Sequence, residues 1–261
     1  METMDKIDSV LIEERPAPRV ALLRLHRPKQ LNALNLALRH ALAEAFTRLE
    51  ADAEVRVIVL AGSDRAFCAG ADLNEYVDAS APEVAARHMG RLWDAIAQCR
   101  KPVLAAVRGF ALGGGFELAQ HADIIVASES ARFGQPEVTI GLMPGGGATQ
   151  RLPQTIGKFR AMQLLLTGET FTAAQALGFG MLSEVQPDDL VEPRAIALAT
   201  QIAAGPAVAT QLIKEAVLAA NSQPLAQGLQ LERRLFQLLF ATDDKTEGIR
   251  ARLEKRSAVF D

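Results

Sequence analysis

The sequence predicts an α/β fold, and three observations predict it. Short apolar runs of strand character at residues 55–60, 102–107 and 123–127 alternate with segments whose apolar residues recur at helical spacing. Glycine-rich turns join strand runs to helix starts, most plainly at Gly113, Gly114 and Gly115. Beyond Gly205 the strand signal stops and the chain reads as helix alone. Strand, helix, strand, helix in that order is the pattern of an α/β architecture.

The elements follow in chain order. Val10 and Ile12, then Val20, Leu22 and Leu25, alternate as the two strands of a hairpin. Residues 36–49 (LALRHALAEAFTRL) have a helical period, and the strand at 55–60 closes on the turn-forming cluster Ala61-Gly62-Ser63-Asp64. A loop over residues 65–71 leads to Asp72-Leu73-Asn74-Glu75, whose acid three residues after an Asp predicts a helix start with reciprocal capping. A helix is predicted over 82–98, then the strand at 102–107, the glycine turn, a helix from Gly114 and the strand at 123–127. Helices at 207–220, 225–241 and 246–256 follow, with turns at 221–224 and 242–244. The expected division is a core of residues 1–204 and a C-terminal helical region of residues 205–261 whose apolar faces can pack on a neighbouring subunit.

Composition narrows the function. With 49% hydrophobic residues among 261, a large core can form without disulfides or metals. Cys68 and Cys99 form no CxxC, and His26, His40, His88 and His121 show no ligand spacing, so no metal site is expected and a reducing compartment fits. Acids outnumber bases by 31 to 28, without a basic cluster, which argues against a nucleic-acid partner. Apolar runs such as 57–62 and 102–107 are far too short to span a bilayer. Glu2 and Asp5 stand where a secretory signal would be apolar, so a cytoplasmic protein is expected.

Three loops can carry chemistry: Ala66 to Asp72 (AFCAGAD), Gly109 to Glu117 (GFALGGGFE), and Phe133 to Glu137 (FGQPE) running on to PGGG at 144–147. Three glycines that open a helix leave backbone N–H groups bare, at the positive end of the helix dipole, able to face a developing negative charge. The same glycines also suit an ordinary tight turn, or phosphate binding, although neither GxGxxG nor GK[ST] is present. Glu117 in a first helical turn can act as a catalytic acid or base, or simply complement the dipole. Glu137 after Pro136 has the same two readings. Cys68 and Trp93 read as packing residues, and the histidines as core or solvated ones.

Taken together, HRPKQLNAL, AFCAGADLNE, KPVLAAVRGFALGGGFELAQHADIIVA, ARFGQPEVTIGLMPGGGATQRLP and LTGETFTAAQALGFGMLSEV resemble the crotonase (enoyl-CoA hydratase/isomerase) superfamily nearly end to end. The resemblance implies a ClpP/crotonase-like spiral of β-β-α turns with a C-terminal helical oligomerisation region, assembled as a trimer or a dimer of trimers. It implies an acyl-CoA thioester as substrate, with coenzyme A arriving as part of that substrate and no separate cofactor. Carried onto this chain, the oxyanion-hole amides belong to Ala71 and Gly114, and the catalytic glutamates are Glu117 and Glu137. Gly145 resembles a backbone donor to the reacting water, Ala33 and Leu34 a wall for adenine and pantetheine, and Ala69, Asp72 and Leu73 residues that line the thioester. Arg27 and Lys29 are candidates for the CoA phosphates.

The implied reaction is addition of water to a 2-enoyl-CoA. An isomerase of the same fold needs only one of the two acids, an RNA-binding relative would be expected to be basic, and a silent assembly protein would need neither acid. Within the superfamily, ADLNE, GLMPGG and ERRLFQLLFATDDKTEG are similar to bacterial hydratases of phenylacetate breakdown that act on 2,3-dehydroadipyl-CoA. Phe116 stands where relatives often carry a small residue, and the chain ends at Phe260-Asp261 where they often continue with Phe-Lys, which leaves Lys255 or Arg256 to meet the nucleotide.

Overall fold

An antiparallel hairpin opens the fold, β1 (Leu11–Ala17) pairing with β2 (Val20–Leu25) so that Leu11 lies opposite Leu25. The computed structural model describes residues 9–260; Glu2, Asp5 and Asp261, used above in reading the two ends, lie outside the described residues. The alternation in β2 suggests one wet face, yet both faces are buried. Val20 and Leu22 join one apolar cluster, while Ala21, Leu23 and Leu25 join another with Leu38, Leu42, Phe46 and Leu49 of α1 (Leu36–Ala51).

From β3 (Val57–Ala61) onward the chain repeats a long strand, a short strand and helix. β3 leads to β4 (Ala66–Cys68), α2 (Ala81–Ala86) and α3 (Met89–Ala97). Next come β5 (Val103–Val107), β6 (Phe110–Leu112) and α4 (Gly114–Ala119). The third turn is β7 (Ile124–Ser128), β8 (Arg132–Gly134), α5 (Ala148–Ile156) and α6 (Lys158–Thr167). After β9 (Thr170–Thr172), α7 (Ala173–Gly178) and β10 (Glu184–Gln186), helix α8 (Val191–Ala203) returns across the sheet. Long strands form a six-stranded sheet in the order β1-β2-β3-β5-β7-β10, and short ones a four-stranded sheet in the order β4-β6-β8-β9. Because β3, β5 and β7 run parallel, as do β4, β6 and β8, each turn stacks on the one before. That is the spiral of β-β-α turns. Helix α8 closes its outer face by packing Val191, Ala195, Ala199 and Ala203 on Val57, Val59, Leu104 and Val126.

Several boundaries differ from the sequence reading. The helix expected over 82–98 is two helices, because His88 takes a left-handed φ of 48° between α2 and α3. The capping box at Asp72 does not form. Asp72 accepts from the Asn74 amide over a single 3-10 turn, while both carboxyl oxygens of Glu75 accept from the Leu36 N–H at 3.0 Å and cap α1 instead. The short strands of the second sheet read as loops, since three residues carry no measurable period.

Beyond Gly205 lie α9 (Ala207–Ala219), α10 (Leu225–Leu238) and α11 (Asp243–Glu254). The last begins at Asp243 rather than 246 because Thr242 accepts from the Lys245 amide and makes Asp243 and Asp244 its first turn. Ile213, Val217, Leu225, Phe236, Phe240 and Leu253 on this segment are exposed. Among the described residues no single helix is long and apolar enough to cross a membrane.

Candidate active site

The parallel pairing of β4 and β6 brings the loops after them out side by side. A Cβ on Gly115 would lie 2.0 Å from the Cys68 carbonyl oxygen, so only glycine lets the start of α4 come this close. Gly70 at φ 109° and Gly113 at φ 50° adopt backbone that L side chains rarely reach. The result is that the Ala71 and Gly114 amides approach one another: a Cβ on Gly114 would stand 3.8 Å from the Ala71 nitrogen. Among the described residues neither N–H donates to another part of the chain. Two bare donors at one point are what an oxyanion hole requires.

The loop around Ala71 is held from two sides. Leu34 donates to the Gly70 carbonyl at 2.7 Å and accepts from the Asp72 amide at 3.1 Å. Its N–H and C=O are thus both engaged within the protein, and its side chain is buried against Gly114. Arg27 is likewise engaged within the protein. Its guanidinium pairs with Asp72 at 2.9 Å and donates to the Ala33 carbonyl, tying the two loops together rather than reaching for phosphate. That pairing holds the Asp72 carboxyl below its usual range. Ala69 donates to Leu31 at 3.0 Å, Leu73 is half exposed, and Lys29 is exposed on the same rim. At the C-terminus, Arg256 pairs with Glu247 at 2.6 Å and with Glu254 at 2.7 Å, which ties it to its own helix.

Glu117, on α4, is buried, and its Oε1 accepts from the amides of Gly146 at 2.7 Å and Ala148 at 3.0 Å. Gly146 of PGGG, and Ala148 just after it, are thus donors to Glu117, while Gly145, expected as a backbone donor to the reacting water, is exposed beside them. Gly146 must be glycine, because a Cβ there would meet Glu117 Oε2 at 2.7 Å and the Trp93 ring at 2.8 Å. Glu137 approaches from the opposite loop, where a Cβ on Gly113 would lie 2.7 Å from its Oε1. Turned with its nitrogen inward, the buried Gln135 amide donates to both Glu137 oxygens at 3.1 Å. Burial pushes the Glu137 carboxyl up to about 7, against a hydrogen bond from its own backbone and helped by the charge of Glu117.

Trp93 and His121, read from the sequence as packing and core-or-solvated residues, join this cluster, together with Arg39, which the sequence did not single out. Trp93 stacks on His121 with ring centroids 5.0 Å apart, and the Arg39 guanidinium lies over Trp93 at 5.3 Å. His121 donates from Nδ1 to the Glu117 carbonyl at 2.8 Å, and burial, with Arg151 nearby, pushes its pKa down to about 4, so the ring is neutral. Arg39 carries a signal that could have found it: it falls on the buried stripe of α1 with Leu42, Phe46 and Leu49. Behind the hole, Phe116 packs against Phe133 at 5.2 Å and Phe171 at 5.7 Å. Cys68 is buried, and burial pushes its thiol up to about 11. A cavity of about 650 Å³ between α4, α5 and α9 is lined by neither glutamate. Amides and carboxyls, rather than cavity size, mark the reacting point.

The geometry agrees with comparison to known proteins. A family profile described as Enoyl-CoA hydratase/isomerase matches residues 16–261. The "Probable enoyl-CoA hydratase" of Rhizobium meliloti (strain 1021) is 46% identical over 97% of this chain and 98% of its own. The 2,3-dehydroadipyl-CoA hydratase of Escherichia coli (strain K12) is 44% identical over 93% of this chain and 95% of its own. A crystal structure of enoyl-CoA hydratase subunit I from Geobacillus kaustophilus HTA426 superposes with a TM-score of 0.94 at 41% identity, covering 97% of this chain and 98% of that one.

Proposed function

The chain belongs to the enoyl-CoA hydratase/isomerase family, and on that premise we propose that it is an enoyl-CoA hydratase, adding water syn across the 2,3 double bond of a 2-enoyl-CoA to give a 3-hydroxyacyl-CoA. The observation that carries the reading is the contrast between two carboxyls beside two free amides. Glu117 accepts from two backbone N–H groups, whereas Glu137 is pushed up to about 7. Divergent environments for two acids are how one site supplies both a base and an acid near neutrality.

The thioester oxygen lies between the Ala71 and Gly114 amides. Conjugation then makes C3 electrophilic. Glu117 takes a proton from water as its oxygen bonds to C3, and the π electrons pass to the thioester oxygen as an enolate. That pair returns to form the C2–H bond with the proton from Glu137. One proton has entered on one carboxyl and one has left from the other, so exchange between the two carboxyls resets the site. The hole is worth several kcal/mol: losing one such donor costs about 2.7–4 kcal/mol in other enzymes. Ala69 and Leu73 border the thioester, Ala33 forms part of the wall toward pantetheine with the buried Leu34 side chain behind it, and Lys29 meets a CoA phosphate.

Hydration of crotonyl-CoA by the purified protein, followed as loss of the conjugated enoyl absorbance, tests the reading. Turnover above about 1 s⁻¹ is expected from the usual range for enzymes. No hydration of crotonyl-CoA, a long-chain enoyl-CoA or 2,3-dehydroadipyl-CoA overturns it, and their relative rates rank the acyl group.

A further inference from the structure

We propose that Arg39 sets a fixed positive charge beside the oxyanion hole, where it stabilises the negative charge that gathers on the thioester oxygen during water addition. The inference rests on the hydratase reading and adds a residue to it. Arg39 is buried, and among the described residues no carboxylate comes within ion-pairing distance of its guanidinium. Its Nε is buried without a hydrogen-bond partner. A desolvated cation in this condition is costly unless something answers its charge.

The neighbours answer it only in part. The Trp93 face provides a cation–π contact at 5.3 Å, and Trp93 is itself pinned by the neutral His121 ring. Glu117 pulls on the charge from a distance, but its Oε1 is taken by Gly146 and Ala148. Glu75 is committed to the Leu36 amide.

A Cβ on Gly114 would stand 3.4 Å from Leu34 Cδ1, 3.6 Å from Arg39 Nη2 and 3.8 Å from the Ala71 nitrogen, so the guanidinium sits beside the residue whose amide opens the hole. A neutral thioester carbonyl gains little from a cation there, whereas an enolate oxygen gains much. The effect therefore belongs to the transition state rather than to binding.

A competing occupant would be the far end of an acyl group that terminates in a carboxylate. The space argues against it: the cavity bounded by Leu34, Arg39, Leu42, Leu92, Trp93 and Ile96 holds about 10 Å³. That is about the least that can hold one water.

The test is steady-state hydration by Arg39→Met and Arg39→Lys, with crotonyl-CoA and 2,3-dehydroadipyl-CoA as substrates, beside the Kd of saturated butyryl-CoA. Arg39→Met is expected to lose about 10–100-fold in kcat on both substrates, less than the loss of a direct hole donor. KM and the butyryl-CoA Kd should stay within about twofold, and Arg39→Lys should recover most of the rate because it restores the charge. An unchanged kcat, a loss confined to KM or to butyryl-CoA binding, a loss confined to the dicarboxylate substrate, or a Lys variant as slow as Met overturns the proposal. Arg39→Lys carries the comparison if Arg39→Met does not fold. A wild type that hydrates no enoyl-CoA overturns the hydratase reading itself, a result distinct from an active wild type matched by Arg39→Met.

Discussion

Gly115 stands so close to the Cys68 carbonyl that a Cβ would lie 2.0 Å from its oxygen, and this contact sets how nearly α4 approaches the loop that carries Ala71. Gly115→Ala must push the two apart. A forced shift against backbone costs about 3 kcal/mol, which lowers Tm by roughly 6–12 °C in a chain of this size. Turnover should fall more than stability does, because the Ala71 and Gly114 amides separate. Calorimetry and hydration kinetics on the same sample read both.

Glu117→Gln and Glu137→Gln keep the shape of each side chain and remove its proton chemistry. Each is expected to lower kcat by about 10²–10⁴-fold, while binding of a saturated acyl-CoA changes little. Retained turnover in both variants would overturn the assignment of the acid–base pair.

The raised pKa of Glu137 fixes a pH dependence. As the acid, it must hold its proton, and it does so below about 7. The kcat/KM of the wild type should therefore fall as pH rises through about 7, and Glu137→Gln should lose that limb along with most of its rate. Stability follows the same sign. A carboxyl whose folded pKa lies above its unfolded one favours the fold at low pH, and that contribution is lost as pH rises toward 7.

Arg27 and Asp72 pair at 2.9 Å with little exposure on either side chain. Arg27→Met leaves the Asp72 charge partly buried with only the Asn74 hydrogen bonds to answer it, at a cost of up to about 3 kcal/mol. Because Asp72 adjoins Ala71, KM for crotonyl-CoA should also rise. Unaltered thermal stability would show that the pair does not hold the loop.

The exposed apolar residues of α9, α10 and α11 fit a homotrimer or a dimer of trimers, as the family resemblance implies. Light scattering should return three or six chain masses. Phe236→Glu with Phe240→Glu, whose rings meet at 5.3 Å on this surface, should reduce it to single chains. A wild-type mass of one chain overturns the trimer.

Much of the fold was readable because long elements have a period. Residues 36–49 and 102–107 sit where α1 and β5 lie, and Gly114 opens α4 as its position after a strand predicted. What failed was local. His88 breaks a helical pattern with only Gly90, two residues on, to hint at it, and Glu75 chose a partner 39 residues away over the box its spacing offered. The site shows the same division. Glu117, Glu137 and Gln135 stand in motifs, whereas Arg39, Trp93 and His121 gain their meaning only when distant parts of the chain pack together, which no linear spacing records.

The Leu36 amide is bonded by Glu75 across 39 residues and, as the first position of α1, has no acceptor within its own helix. Its hydrogen can exchange with deuterium only when the turn at Leu73–Glu75 unseats, which makes this one backbone site a natural clock for that turn. If ligand seats the turn more firmly, exchange at Leu36 slows while the amides deeper in α1 keep their own rates.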